Sequence, residues 1–298
     1  MTDDQQPPAA AGVRRAAFSF IFASALINSL SFGIMIPVLP KLVEQLAGGD
    51  TAFASEWNVV LATSWGLMQF FFGPILGMLS DRFGRRPVLL ISIFGLGIDF
   101  IVMAFAPNMW WLLIGRIVSG ITASSFSTAN AYVADVTAPE DRAKFFGLMG
   151  SAFSFGFLIG PVLGGFLGKD DLHLPFFAAA GLCLINFVYG YFVLPESLPV
   201  ERRAPRFTWI KANPVGALRT LRSHAGLLGL ASVGFLFHMA HIVLPAIFVF
   251  YMGHRYGWDV RTIGFAMSGS GILGIVVQVF LVGPIVKRIG ERGAVLAG

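Results

Sequence analysis

Hydrophobic residues along this 298-residue chain run in long stretches separated by short charged loops. Windows without any charge cover 16–40, 57–80, 145–168, 172–195, 223–254 and 262–286. Two further apolar stretches, 87–106 and 109–134, carry one charge each, Asp99 and Arg116. A helix needs about 20 residues to cross the roughly 30 Å hydrocarbon core of a bilayer, so each stretch predicts one spanning helix. Eight spans result, and a ninth begins near Gly293. Backbone polar groups in lipid must bond within their own segment, which selects helices; a barrel strand would use only about 10 residues.

Composition agrees with this pattern. The chain is 56% hydrophobic and 12% charged, with 35 glycines and 30 phenylalanines, and its mean hydropathy is +0.75. A soluble domain carries about twice that charge, so a soluble enzyme, a disordered chain and a disulfide scaffold are all excluded. The lone Cys183 has no internal partner for a disulfide. Residues 1–13 read as a short disordered tail. No cleavable signal pattern follows it, and retention of the first helix is expected.

Lys and Arg are distributed unequally between the loops. Arg14, Arg15, Arg82, Arg85, Arg86, Arg142, Lys144 and nine residues of the central and last loops lie on one side, sixteen in all. The other side holds four: Lys41, Lys169, Arg255 and Arg261. Such asymmetry places the N-terminus and the central loop in the cytoplasm. The net charge of +5 is therefore an orientation signal, and no nucleic-acid partner is needed to explain it.

The longest polar segment, 196–224, contains Pro199, Pro205 and Pro214 and reads as a linker. It divides the chain into a tail (1–15), a six-helix bundle (16–195), a cytoplasmic loop (196–224) and an incomplete second bundle (225–298). The two bundles repeat one another. Gly77 to Pro87 corresponds to Gly283 to Gly293 at an offset of 206 residues, and Ile34-Met35-Ile36-Pro37 echoes Ile242-Val243-Leu244-Pro245. Repeats of this kind build many secondary transporters, and a doubled unit predicts about 400 residues and twelve helices. The chain is read on that basis as a fragment or a truncated product.

The turn Gly77-x-x-x-Asp81-Arg82-x-Gly84-Arg85-Arg86 combines glycines for close helix approach with a compact charged latch. It resembles the helix 2–3 signature of the major facilitator superfamily. Arg116-Ile117-Val118-Ser119-Gly120 is similar to the helix 4 motif of that family. Gly156-Phe157-Leu158-Ile159-Gly160-Pro161-Val162-Leu163-Gly164-Gly165 resembles the helix 5 motif of its drug–proton antiporters. Met35 to Pro40, Leu79 to Leu90 and Ser119 to Thr122 look like the tetracycline efflux branch. The resemblance implies an all-α integral membrane protein of the major facilitator fold, with about eight complete helices of twelve. It also implies a multi-pass monomer in a bacterial-type inner membrane. Its cargo would be a small drug, a divalent cation–tetracycline chelate, and its energy source the proton gradient; no resident cofactor or metal is implied.

Candidate site residues follow. An ionised Asp99 at mid-depth costs about 2.5–3.5 kcal/mol on the insertion scale, so it must face water, a cation or a partner inside the bundle. Two readings stand: a cavity-lining proton and substrate site, or a structural partner for an arginine of another helix. Arg116 stays charged and needs an acid or a carbonyl; the resemblance makes it a modulator of a nearby carboxylate. Gly156, Gly160, Gly164 and Gly168 share one helix face, which allows close packing, and Pro161 permits a bend. In the antiporters that stripe is associated with sealing the outer side. Gln69 is read either as a cavity donor or as an interhelical hydrogen-bonding group. His238 and His241 share a face; bonding to a neighbouring helix is the plainer reading, and a pH-sensitive role the other.

Two features depart from the tetracycline exporters. Asn28 stands where they carry an acid in helix 1, and the acidic position of helix 9 falls beyond Gly298, as does helix 11, the expected partner of the Asp81 latch. A carrier for another drug or for an endogenous metabolite, and a non-transporting remnant, therefore remain as alternatives. No phosphate-binding loop supports ATP-driven transport, and no catalytic constellation supports an enzyme.

Overall fold

The computed structural model describes residues 8–123, 125–138, 141–205 and 227–277, together with isolated positions 284, 288 and 293. Its elements are α1 (Pro8–Leu46), α2 (Thr51–Phe83), α3 (Arg85–Ala104), α4 (Met109–Thr122), α5 (Ser125–Val136), α6 (Arg142–Leu167) and α7 (Leu174–Val193). A 3₁₀ turn follows at Val200–Arg202, then α8 (Leu227–Tyr256) and α9 (Val260–Val276). No strand occurs among the described residues. Six segments among them are long and apolar enough to cross a membrane, from Phe18–Leu46 to Leu174–Val193. α8 and α9 stand where the seventh and eighth spans are expected.

The fourth span differs from its expected form. It is built from two helices, α4 and α5, in place of one unbroken helix over 109–134. The helical hydrogen bonding lapses at Ala123, after Thr122 has turned its hydroxyl back onto the carbonyls of Val118 and Ser119. Such back-bonding competes with the backbone ladder.

Side-chain caps start two of the helices. The Asp50 carboxylate accepts from the amides of Ala52 and Phe53 at 3.0 Å each. Asn108 Oδ1 accepts from Trp110 and Trp111 at 3.1 and 3.3 Å. Each cap satisfies N–H groups that an α-helix leaves unpaired in its first turn. The connections from α1 to α4 are of one to four residues, which brings these successive helices back antiparallel.

Packing within the bundle separates into two apolar clusters. At the end away from the basic loops, Val38, Leu42, Leu96, Phe100, Leu112 and Phe176 are buried together. Towards the basic end, Phe20, Ile21, Leu89, Tyr132, Val133 and Met149 form the other.

α6 has two faces stripped of side chains. On one, a Cβ added to Gly156 would lie 2.5 Å from Ser29 Cβ, and one on Gly160 would lie 2.5 Å from Gly33 Cα. Gly164 abuts the Ile34 carbonyl. On the other face, a Cβ on Gly165 would come 2.8 Å from the Val260 carbonyl oxygen, while Gly264 of α9 abuts the carbonyl of Pro161. Association in lipid relies on such close backbone contact, because lipid tails are as apolar as the side chains. α6 thus joins the first bundle to the second part of the chain. Gly77 behaves otherwise than expected: nothing lies within 4 Å of where its Cβ would be, whereas a Cβ at Gly84, in the turn between α2 and α3, would meet Glu196 and Arg203.

Gly160→Leu is expected to lower stability by about 1–3 kcal/mol through overpacking, read as a lower unfolding midpoint in detergent. Gly147→Leu on the same helix, where nothing lies within 4 Å, is expected to leave that midpoint unchanged.

Candidate functional site

Asp99 of α3 and Arg116 of α4 meet inside the bundle. The Arg116 Nη2–H donates to Asp99 Oδ2. The carboxylate side chain is 0% exposed and the guanidinium 4%. Asp99 Oδ1 and Arg116 Nε are buried and have no hydrogen-bond partner among the described residues. Close approach depends on Gly115, where a Cβ would lie 2.6 Å from Asp99 Oδ1. The structure brings Asp99 to an arginine of the neighbouring helix, a pairing that supplies its counter-charge inside the bundle and is compatible with both sequence readings.

Other polar groups line the same interior. Ser24 donates to Asn186 Oδ1 at 3.1 Å, and the Ser31 hydroxyl lies 3.6 Å from Cys183 Sγ. Both contacts tie α1 to α7. Asn28 is half-buried on α1, and Gln69 is half-buried on α2, one turn beyond Trp65. Neither is brought to the Asp99–Arg116 pair by a described contact.

A second cluster lies at the basic end. Arg85 Nη1 donates to Asp81 Oδ1 at 2.6 Å and to Ser80 Oγ at 3.2 Å, while its Nε donates to Asp135 Oδ2 at 3.1 Å. Arg85 therefore links α2 and α3 to the end of α5. Arg86 turns the other way, its Nη2 donating to the Tyr191 carbonyl at 2.6 Å. Arg82 is exposed and lies over the Phe83 ring, so the expected four-residue latch is centred on Arg85 and leaves Arg82 outside. Gly84 makes the turn possible: its φ of +108° lies in the left-handed region, which glycine adopts without steric cost.

Sequence reasoning missed Gly115, Asp135 and Glu196. Asp135 is an acid at the end of a span opposite a basic turn, a signal that loop-by-loop charge counting passes over. Glu196 was assigned to the linker. The Glu196 carboxylate in fact receives the backbone amides of Arg85 and Arg86, so the first residues after α7 are folded onto the bundle.

At the opposite end a cleft of about 560 Å³ opens where the first bundle meets the α8–α9 turn. Its lining includes Lys41, Glu44, Lys169, Asp171, Trp258 and Asp259. Hydrogen bonds from Thr262, through its side chain and its amide, hold the Asp259 carboxyl below the usual carboxylate range. Asn28, Gln69, Asp99 and Arg116 are not among its lining residues. The side chains of His238 and His241, and the second-repeat turn from Gly283, lie outside the described residues.

The profile of the Major Facilitator Superfamily matches residues 21–298. The chain belongs to that superfamily. It is 42% identical over 282 residues to the tetracycline resistance protein, class C, of Escherichia coli, covering 95% of this chain and 70% of that protein. It is 34% identical to the class B protein of Escherichia coli, covering 92% and 67%. Among solved structures, the human organic anion transporter MFSD10 (TETRAN) superposes with a TM-score of 0.72 at 24% identity, covering 98% of this chain and 75% of that one. That likeness shows the fold. The protein is accordingly a multi-pass membrane protein of a transporter family, with a lipid bilayer around it and a small molecule as cargo.

Arg116→Met is expected to lower stability by about 3–5 kcal/mol, because it leaves a buried charge without its partner. Asp99→Asn combined with Arg116→Gln is expected to recover most of that loss. Thermal unfolding of the purified protein in detergent measures both.

Proposed function

We propose that this protein is a proton-coupled drug efflux transporter of the tetracycline type, seated in the inner membrane with its basic end in the cytoplasm. The observation that carries the reading is the buried Asp99–Arg116 pair, a titratable group held in hydrocarbon next to a permanent cation. Intramembrane ionisable groups are retained mainly where ions, protons or substrates pass. The cargo class is taken from the similarity to tetracycline resistance proteins. That cargo is a divalent cation–tetracycline chelate, in which the metal travels as part of the substrate.

In this reading Asp99 Oδ1 holds the proton, since Oδ2 is engaged by Arg116. Protonation removes the counter-charge of Arg116 and weakens the hold of α3 on α4. The backbone contacts of α6 with α9 close the outer side, and their separation opens it, as one bundle rocks against the other, while the contacts of α6 with α1 hold the first bundle together. The Arg85-centred cluster closes the cytoplasmic side in alternation. A single chain performs this cycle.

A second reading, a carrier for another drug or for a metabolite, is favoured by Asn28. An amide cannot take up and release a proton near neutral pH, so coupling through helix 1 would be lost.

Asp99→Asn is expected to reduce tetracycline uptake into inverted vesicles to background while the protein inserts in normal amount. Uptake at the wild-type rate would remove Asp99 from the coupling step.

A further inference from the structure

Four of the helices described above receive side-chain carboxylate or amide caps, α9 among them from Asp259 just before it, and one of those caps comes from far away. α2 and α4 are capped by the residues just before them, Asp50 and Asn108. At the corresponding place before α3 stands Gly84, which has no side chain to offer. Glu196, beyond the end of α7, supplies the cap in its place. Its Oε1 accepts from the Arg85 amide at 2.8 Å, and its Oε2 accepts from the Arg86 amide at 3.3 Å. A Cβ at Gly84 would run into Glu196 Oε2. A carboxylate here meets both the unpaired N–H groups of the first turn and the positive end of the helix dipole.

The cap is one of several ties along the same segment. Glu196 Oε1 also accepts from the amides of Ser197 and Leu198 at 3.0 Å each, which fixes the turn that presents it. Tyr132 of α5 donates its hydroxyl to the Pro195 carbonyl at 2.9 Å, and Ser197 Oγ donates to Asp135 Oδ2 at 3.3 Å. Further on, the Ala204 amide donates to the Asp81 carbonyl at 2.9 Å. The start of the linker is thus bound to the turn between α2 and α3, through its backbone as well as its side chains.

We propose that Glu196 is a positioning residue of the cytoplasmic gate, and that residues 195–204 anchor the linker to the N-terminus of α3. The inference rests on the transporter reading above. Its consequence is mechanical. Displacement of the second half of the molecule along the linker is delivered first to the turn that carries Asp81 and Arg85. From there it passes along α3, the helix that holds Asp99, and only afterwards reaches α7. Glutamine at 196 keeps the length of the side chain but removes its charge and one of its two acceptor oxygens; aspartate keeps the charge on a shorter arm.

Glu196→Gln, Glu196→Asp and the control Asp50→Asn, which weakens the cap of α2 at the opposite end, test this in the full chain. The gate is read without cargo through Phe83→Cys, an exposed position in the turn, since the native Cys183 is buried and silent. In Glu196→Gln, maleimide labelling at Phe83→Cys is expected to speed up several-fold, with amide exchange at Arg85 and Arg86 rising about tenfold. Glu196→Asp is expected to restore part of both, and Asp50→Asn to change neither. In inverted vesicles the Glu196→Gln protein is expected to lose maximal uptake several-fold at an unchanged KM, with its unfolding midpoint retained. Labelling and exchange equal to wild type in Glu196→Gln would overturn the anchorage. Faster labelling and exchange with undiminished uptake would overturn the gating role. Absence of tetracycline uptake in the wild type would instead count against the cargo reading, while labelling and exchange still decide the anchorage.

Discussion

In hydrocarbon, no water stands by to hydrogen-bond an unpaired charge or amide, and every such group has to find its partner within the chain. The Asp99–Arg116 pair is where that requirement presses hardest, because both charges lie at depth and both are almost fully enclosed. α3 and α4 have to lie close enough for the two groups to meet, and Gly115 removes the side chain that would keep them apart. The apolar residues around the pair, such as Leu96, Phe100 and Leu112, then shield it from lipid. Two of its polar atoms keep no partner among the described residues, so the site is closed without being fully satisfied.

The same requirement organises both ends of the molecule in different ways. At the basic end, unpaired amides and charges are consumed by a network in which Arg85 joins Asp81 to Asp135 and Glu196 takes the first amides of α3. Those bonds are polar, reach into water and can be made and broken at modest free-energy cost. Toward the opposite end, contact is made without polar bonds, by glycine faces on α6 laid directly against the backbones of α1 and α9. The helices are thus joined by unlike means, a polar network in one place and bare backbone in the other.

Much of this was legible from residue order. Hydrophobic length alone placed the spans, because the thickness of the bilayer dictates the length of a helix. The stripe from Gly156 to Gly168 was visible as a spacing of four on one face, and its contact with α1 follows. What the spacing did not reveal was Gly165 and the Pro161 carbonyl set against α9; a stripe names a face but not the neighbour that fills it. Arg82 and Arg86 look equivalent to Arg85 in the turn, yet only Arg85 is aimed at Asp81 and Asp135. Glu196 was hidden for a similar reason. Its partners lie more than a hundred residues away, and a lone glutamate after a helix carries no pattern.

The sequence by itself determined the class of molecule, the approximate bounds of its apolar spans, the charge asymmetry of its loops and the resemblance that points to its family. These follow from local properties, hydrophobic length and the run of neighbouring residues. Only the tertiary structure decided that Asp99 pairs with Arg116, that α6 faces two partners, and that residues 195–204 are bound to the turn between α2 and α3. Each of those depends on which distant group supplies the missing charge, hydrogen bond or space, and that is settled when the helices pack.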